Sequence, residues 1–284
     1  MKKTTLGKAI SMTLAGSVLA IGSATATAHT MYNAYNAGLH SVGTDKQGGT
    51  DGWNPTTNWV GTDSSTTMPF GFVGTQALHW AAMIHTNNSS MEVSTADALA
   101  TYALDADIDT AKGAWFDGRK GWAHNTDYGL IKSEVDTKIT LSASTVNNGW
   151  TNFGFTVFTG MDDGTGNFDR HSQWNQPVNN LAYLEIAGAD DSQPYNASNP
   201  HGTNGLNYLT HSGSGDITFT ASADQVYSVY LGGADGGTNF GPHDGYVLNI
   251  QASPVPVPAA VWLFGSGLLG VLSLGRRRTT MVKL

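Results

Sequence analysis

Phe153-Gly154-Phe155-Thr156-Val157-Phe158 decides the fold. Phe153, Phe155 and Val157 alternate with Gly154, Thr156 and Phe158, the period of two by which a strand sends successive side chains to opposite faces of a sheet. Tyr227-Ser228-Val229-Tyr230-Leu231, inside the run 226–231, repeats the alternation. Working outward, 138–143, Ile217–Ala221 and 246–251 are further β-branched and aromatic runs bounded by Gly, Asn, Asp and Ser. Strands at these separations predict a mainly β protein, a single antiparallel β-sandwich or jelly-roll-like domain. The linkers 161–180, 187–204 and 232–245 are long and rich in Gly, Asn and Asp, as functional or locally flexible loops are. In the first half, 70–86 predicts one or two strands. Ser94-Thr95-Ala96-Asp97-Ala98-Leu99-Ala100-Thr101-Tyr102 predicts a short capped helix.

The 284-residue chain has 35 Gly, 9 Pro, 8 Trp, 10 Tyr, 10 Phe and no Cys, with 13% charged residues and a formal net charge of −8. So many aromatics exclude a disordered chain. Absence of Cys excludes disulfide scaffolds, Fe–S clusters, thiolate zinc sites and cysteine nucleophiles together. Any metal must be held by His, carboxylates or backbone oxygens.

Two segments bracket the β-rich part. Lys2, Lys3 and Lys8 precede an apolar stretch over 9–21, and Ala26-Thr27-Ala28 follows. This predicts a secretory signal peptide over 1–28, cut so that His29 leads the mature chain. At the other end, 254–284, Pro254-Val255-Pro256-Val257-Pro258-Ala259-Ala260-Val261-Trp262-Leu263-Phe264-Gly265-Ser266-Gly267-Leu268 opens an uncharged run to residue 274, closed by Arg276-Arg277-Arg278. The run is long enough to span a bilayer, with the arginines anchoring its cytoplasmic end. It resembles the PEP-CTERM sorting signals of Gram-negative bacteria, with Val255 in place of the usual acidic residue. That resemblance implies transient inner-membrane anchoring, removal of the tail by an exosortase, and delivery to the outer cell surface or extracellular matrix.

Both segments hold basic residues and no acidic ones, seven of the chain's 14 Lys and Arg. The remaining domain, 29–253, therefore carries 7 basic against 22 acidic groups, a formal −15. Such a surface repels nucleic acid and anionic lipid and attracts cations.

Enzyme signatures are sparse: there is no G-x-S-x-G, H-E-x-x-H, Walker loop or EF-hand consensus. Asp105-Ala106-Asp107-Ile108-Asp109 would align three carboxylates on one strand face, a possible calcium site or a solvated edge. Met161-Asp162-Asp163-Gly164-Thr165-Gly166 reads as a calcium-capable loop or a Gly-rich turn. The nine histidines, His29, His40, His79, His85, His124, His171, His201, His211 and His243, stand out in a chain without thiols, where imidazole is the natural copper or zinc ligand.

The domain resembles the methanotroph family of copper-repressible surface copper-binding proteins, the CorA and MopE group. The resemblance is carried by Ala106-Asp107-Ile108-Asp109-Thr110-Ala111-Lys112-Gly113-Ala114-Trp115 and Gly121-Trp122-Ala123-His124-Asn125-Thr126-Asp127. It continues through Phe153-Gly154-Phe155-Thr156-Val157-Phe158-Thr159-Gly160-Met161-Asp162 and Tyr230-Leu231-Gly232-Gly233. It implies one Cu(I) ion held by two His and a Trp oxidised to kynurenine, two positions before the first His. Trp122 and His124 match that pattern. Residues i and i+2 of an extended segment share a face, and ring opening creates an aryl amine that tryptophan lacks. The second His is expected to be His171, with His211 and His243 as alternates.

The expected function is an exported, surface-sorted copper(I)-binding protein for acquisition or storage, without catalytic turnover. One alternative is a structural or adhesive matrix protein that binds polysaccharide by stacking Trp59, Trp150 or Trp174 on sugar rings. Another is a copper oxidase using His29 as a terminal amine and imidazole together, with His85 or His124 as a third nitrogen, as in the histidine brace of oxidative polysaccharide-cleaving enzymes.

Overall fold

The computed structural model describes residues 27–34, 59–64, 67–74, 78–116, 121–122, 126–147, 152–164, 205–234, 243–256, 263–264 and 266–269. Its strands are β1 (Ala28–Asn33), β2 (Trp59–Val60), β3 (Trp80–Ile84), β4 (Ser90–Val93), β5 (Asp109–Ala111), β6 (Trp115–Phe116), β7 (Gly121–Trp122) and β8 (Asp127–Ser133) in the first half. The second half supplies β9 (Thr137–Thr145), β10 (Phe153–Gly160), β11 (Leu206–Ser212), β12 (Ile217–Ala221), β13 (Val226–Gly233) and β14 (His243–Pro254). Each of the five alternating runs of the second half lies within a strand.

Seven strands form one sheet in the order β11-β10-β13-β8-β3-β1-β2, and a second sheet runs β12-β9-β14-β4 with β5 also paired to β14. The molecule is mainly β, with two sheets and a core between them. The pairing is antiparallel except between β3 and β8, where Trp80 opposes Gly129 and Ile84 opposes Ser133 in parallel register. That one pair corrects the expectation of purely antiparallel sheets. Among its described residues the 70–86 stretch contributes one strand, β3, after a 3-10 turn at Pro69–Gly71.

Helix α1 (Thr95–Tyr102) starts at Ser94, whose hydroxyl accepts from the Asp97 N–H at 3.0 Å. Such a cap contributes about 1 kcal/mol. The Asp97 carboxylate also accepts from Tyr32 Oη at 2.7 Å and Thr30 Oγ1 at 2.9 Å, which ties the helix to β1. Ala103 ends the helix in the left-handed conformation, with φ 54°.

Strand parity splits the large sheet into two apolar faces. Tyr32, Trp80, Ile84, Ile131, Phe153, Phe155, Val157, Val229 and Leu231 point inward, against Ile139, Leu141, Tyr246, Leu248 and Ile250 of the other sheet. Their neighbours Met31, Ala81, Tyr128, Leu130, Phe158 and Tyr230 point outward. There they are covered by Trp59, Phe72 and Trp115 instead of a sheet. This is why 153–158 is buried on both sides.

Each face holds a tryptophan laid on a glycine. A Cβ on Gly129 would fall 2.2 Å from the Trp80 ring, and one on Gly154 would fall 1.9 Å from the Trp115 ring. Only a residue without a side chain leaves room for an indole to lie on the strand. On the inner face Trp80 Nε1 donates to Tyr246 Oη at 2.8 Å, and Tyr246 Oη donates to Asp127 Oδ2 at 2.7 Å. Burial, and next the Asp127 charge, push the Tyr246 phenol well above its usual value, so it stays a donor to the carboxylate.

β14 ends at Pro254, where the Pro-Val-Pro-Val-Pro stretch begins. Among the described residues no helix is long and apolar enough to cross a membrane. Residues 1–26 of the expected leader, and most of the expected tail beyond 256, lie outside the described residues.

Candidate metal centre

Trp115 and Trp122 are register partners in the two-stranded ladder β6·β7, with Phe116 opposite Gly121. The backbone of Trp122 is thereby tied to the strand that carries Trp115. Trp115 lies over Gly154, and its ring sits 6.1 Å from the His211 ring at 33°. His211 is on β11, opposite Thr156 of β10, so both belong to the outer face of the sheet. The Tyr208 hydroxyl meets His211 Nδ1 at 2.6 Å, which orients the imidazole.

Two buried polar atoms gather here. Trp115 Nε1 and Thr156 Oγ1 are both buried and find no hydrogen-bond partner among the described residues. Leaving such a group unmet costs about 1–3 kcal/mol, so this buried pair is a place where a polar partner would be gained. Sequence reasoning missed Thr156 and Trp115 as part of a site. The alternation of 153–158 had already placed Thr156 and Phe158 on a shared face, but nothing local indicated that a tryptophan would cover it.

Of the expected ligands, Trp122 has a described backbone, while His124 and His171 lie outside the described residues. His211 is brought to the Trp122 ladder through Trp115. His243 is not: it is 5% exposed, sits on β14 in the register of β5, and its Nδ1 meets Asp109 Oδ1 at 3.0 Å. That contact also corrects the calcium reading of 105–109. Residues 104–108 are not strand, β5 begins only at Asp109, and the Asp109 carboxylate is turned toward His243. Asp162 is likewise a turn residue, fully buried, with Oδ1 accepting from the Gly164 N–H at 2.9 Å. Trp59 is 1% exposed and is therefore unavailable to stack on sugar; Trp150 and Trp174 lie outside the described residues.

The remaining described histidines divide cleanly. His79 Nδ1 accepts from the Tyr128 N–H at 3.1 Å, with Nε2 facing Asp127 at 3.7 Å, a buried structural role. His29 and His85 meet each other: Nδ1 of His29 lies 3.1 Å from Nε2 of His85, the rings stacked at 5.2 Å and 25°. His85 Nδ1 in turn meets Glu134 Oε2 at 3.0 Å. Among the described residues no group of three or more His, Cys, Asp or Glu side chains converges as a complete metal cage.

Neither known protein families nor curated protein sequences match the chain. Among solved structures, it is similar to CorA of Methylomicrobium album BG8, described as a surface-associated copper-binding protein important in that organism's copper acquisition. The identity is 15%, covering 62% of this chain and 100% of the other, with a TM-score of 0.31. MopE, a secreted protein of Methylococcus capsulatus in which an oxidized tryptophan facilitates copper binding, follows at 12% identity over 61% and 87%, TM-score 0.28. PliG of Aeromonas hydrophila, a periplasmic inhibitor of g-type lysozyme, is similar at 10% identity over 60% and 96%, TM-score 0.27. Copper proteins and a lysozyme inhibitor thus share the same slight likeness, and no residue role is transferred from any of them.

Proposed function

We propose that this chain is an exported copper(I)-binding protein that serves copper acquisition or storage at the outer cell surface, without catalytic turnover. The observation that carries the reading is the ladder pairing Trp122 with Trp115, whose ring lies against His211 beside two unmet buried polar atoms. His124 and His211 would supply the imidazoles, His211 being preferred to His171 because the sheet sets it against this ladder. Trp122, opened by dioxygen to N-formylkynurenine and hydrolysed to kynurenine with release of formate, would supply a weak aryl amine. Few neutral nitrogens and no thiolate make a low-coordinate site that suits Cu(I). The acidic domain concentrates cations at its surface, and tail processing by an exosortase would leave it outside the cell.

The test is made on protein secreted by its own host under copper limitation. Bound metals are measured by mass spectrometry, and the peptide spanning 121–127 is mapped in the same sample. We expect near-stoichiometric copper, the mass change of Trp-to-kynurenine conversion at Trp122, and loss of Cu(I) uptake in His124→Ala and in His211→Ala. Metal-free protein with intact Trp122 that takes up no Cu(I) afterwards would overturn the reading.

A further inference from the structure

We propose that His29 and His85 form a second metal site, built for a divalent copper ion and completed in the exported chain by the α-amine of His29. It is independent of the site around Trp122. Both lie on the outer face of the large sheet, but β10, β13 and β8 intervene between β11 and β3, about 19 Å at the usual strand spacing.

Register explains the cluster. β1 and β3 pair with Ala28 opposite Ile84 and His29 opposite Met83, so His85, one residue past β3, is the diagonal neighbour of His29. β3 and β8 pair in parallel with Ile84 opposite Ser133, which sets Glu134 beside His85. Its N–H donates to the Ile84 carbonyl at 2.9 Å and holds it there. Parity sends all three side chains to the same face.

The atoms presented are those a metal needs. Glu134 accepts from His85 Nδ1, which fixes the tautomer that leaves the Nε2 lone pair directed at His29. The proton between His29 Nδ1 and His85 Nε2 is displaced when an ion enters. Bonds of about 2 Å to each nitrogen bridge the 3.1 Å gap at roughly a right angle, the cis arrangement of a tetragonal copper(II) centre.

Cleavage after Ala28 adds the third nitrogen, because the α-amine and Nδ1 of one histidine close a six-membered chelate on the same ion. It also removes Thr27, whose carbonyl accepts from the His85 and Thr86 N–H groups, and so frees the end of β3 to adjust around the metal. With three nitrogen donors and no thiolate, the Irving–Williams order favours Cu(II) over the other divalent ions.

The experiment uses natively processed secreted protein carrying His124→Ala, so that failure at the Trp122 site leaves this result intact. Copper(II) is titrated against a glycine competitor, with intact mass and electron paramagnetic resonance on the same sample. The expected result is a chain beginning at His29, one Cu(II) with three nitrogen couplings, affinity lowered about 100-fold or more by His85→Ala, and about 10-fold by Glu134→Gln. Retaining Ala28 ahead of His29 leaves both side chains in place and controls for folding; it should also weaken binding by removing the chelating amine. Cu(II) affinity unchanged by His85→Ala overturns the proposal. So does a chain beginning at Thr27, in which Thr27-Ala28-His29 chelates copper through its own amides without His85.

Discussion

Trp80 and Trp115 occupy equivalent niches on opposite faces of the seven-stranded sheet, each indole laid on a glycine. Their surroundings differ. Trp80 is enclosed by the second sheet, and its N–H begins a satisfied chain through Tyr246 to Asp127. Trp115 packs in the separate outer cluster, and its N–H has no partner among the described residues. The inner face spends its polar groups on one another and is structural. The outer face holds His211 and, toward its other end, the His29–His85 pair, the groups on which the two proposed copper sites rest.

The largest expected effect that separates the faces is Gly129→Ala. The new methyl group collides with Trp80, which the second sheet prevents from moving, so unfolding by urea should show a loss of about 3 kcal/mol. Gly154→Ala pushes on Trp115, which packs in the smaller outer cluster, and should cost less, about 1 kcal/mol, while abolishing Cu(I) uptake. Equal losses from the two variants would break the comparison. Next come Trp80→Phe and Trp115→Phe. The first removes the donor to Tyr246 Oη in the core and should cost about 1–2 kcal/mol more than the second, which deletes a donor with no partner among the described residues.

The smallest effect is on pH dependence. His29 has its folded pKa depressed, so the folded state binds fewer protons than the unfolded one. Its contribution is present above the unfolded value of 6.5 and is lost as pH falls through that value toward the folded one. His29→Gln should flatten the stability profile in that acidic window and leave it unchanged at pH 8. An unchanged slope would separate His29 from the acid sensitivity of the fold.

Much of the architecture was legible before the structure. The alternation at 153–158 and 227–231, the cap at Ser94 and the breaks at Gly and Asn clusters are local, because strand parity and helix capping act over a few residues. The parallel β3·β8 pair was not legible, since nothing in 80–84 states which strand lies beside it. For the same reason the Asp105, Asp107 and Asp109 pattern misled. Its period of two matched a strand, but the chain between 104 and 108 serves as a connection, and Asp109 is drawn to a histidine more than 130 residues away.

Composition and order along the chain determined by themselves that the protein is mainly β, is strongly acidic between two basic-ended segments, and has no thiolate to offer a metal. Which nitrogens meet was decided only by tertiary structure. His29 and His85 are 56 residues apart, and Trp115 and His211 are farther still; register across a sheet joins them. A strand's parity is written in its own residues, whereas its neighbour is selected by the packing of the whole molecule.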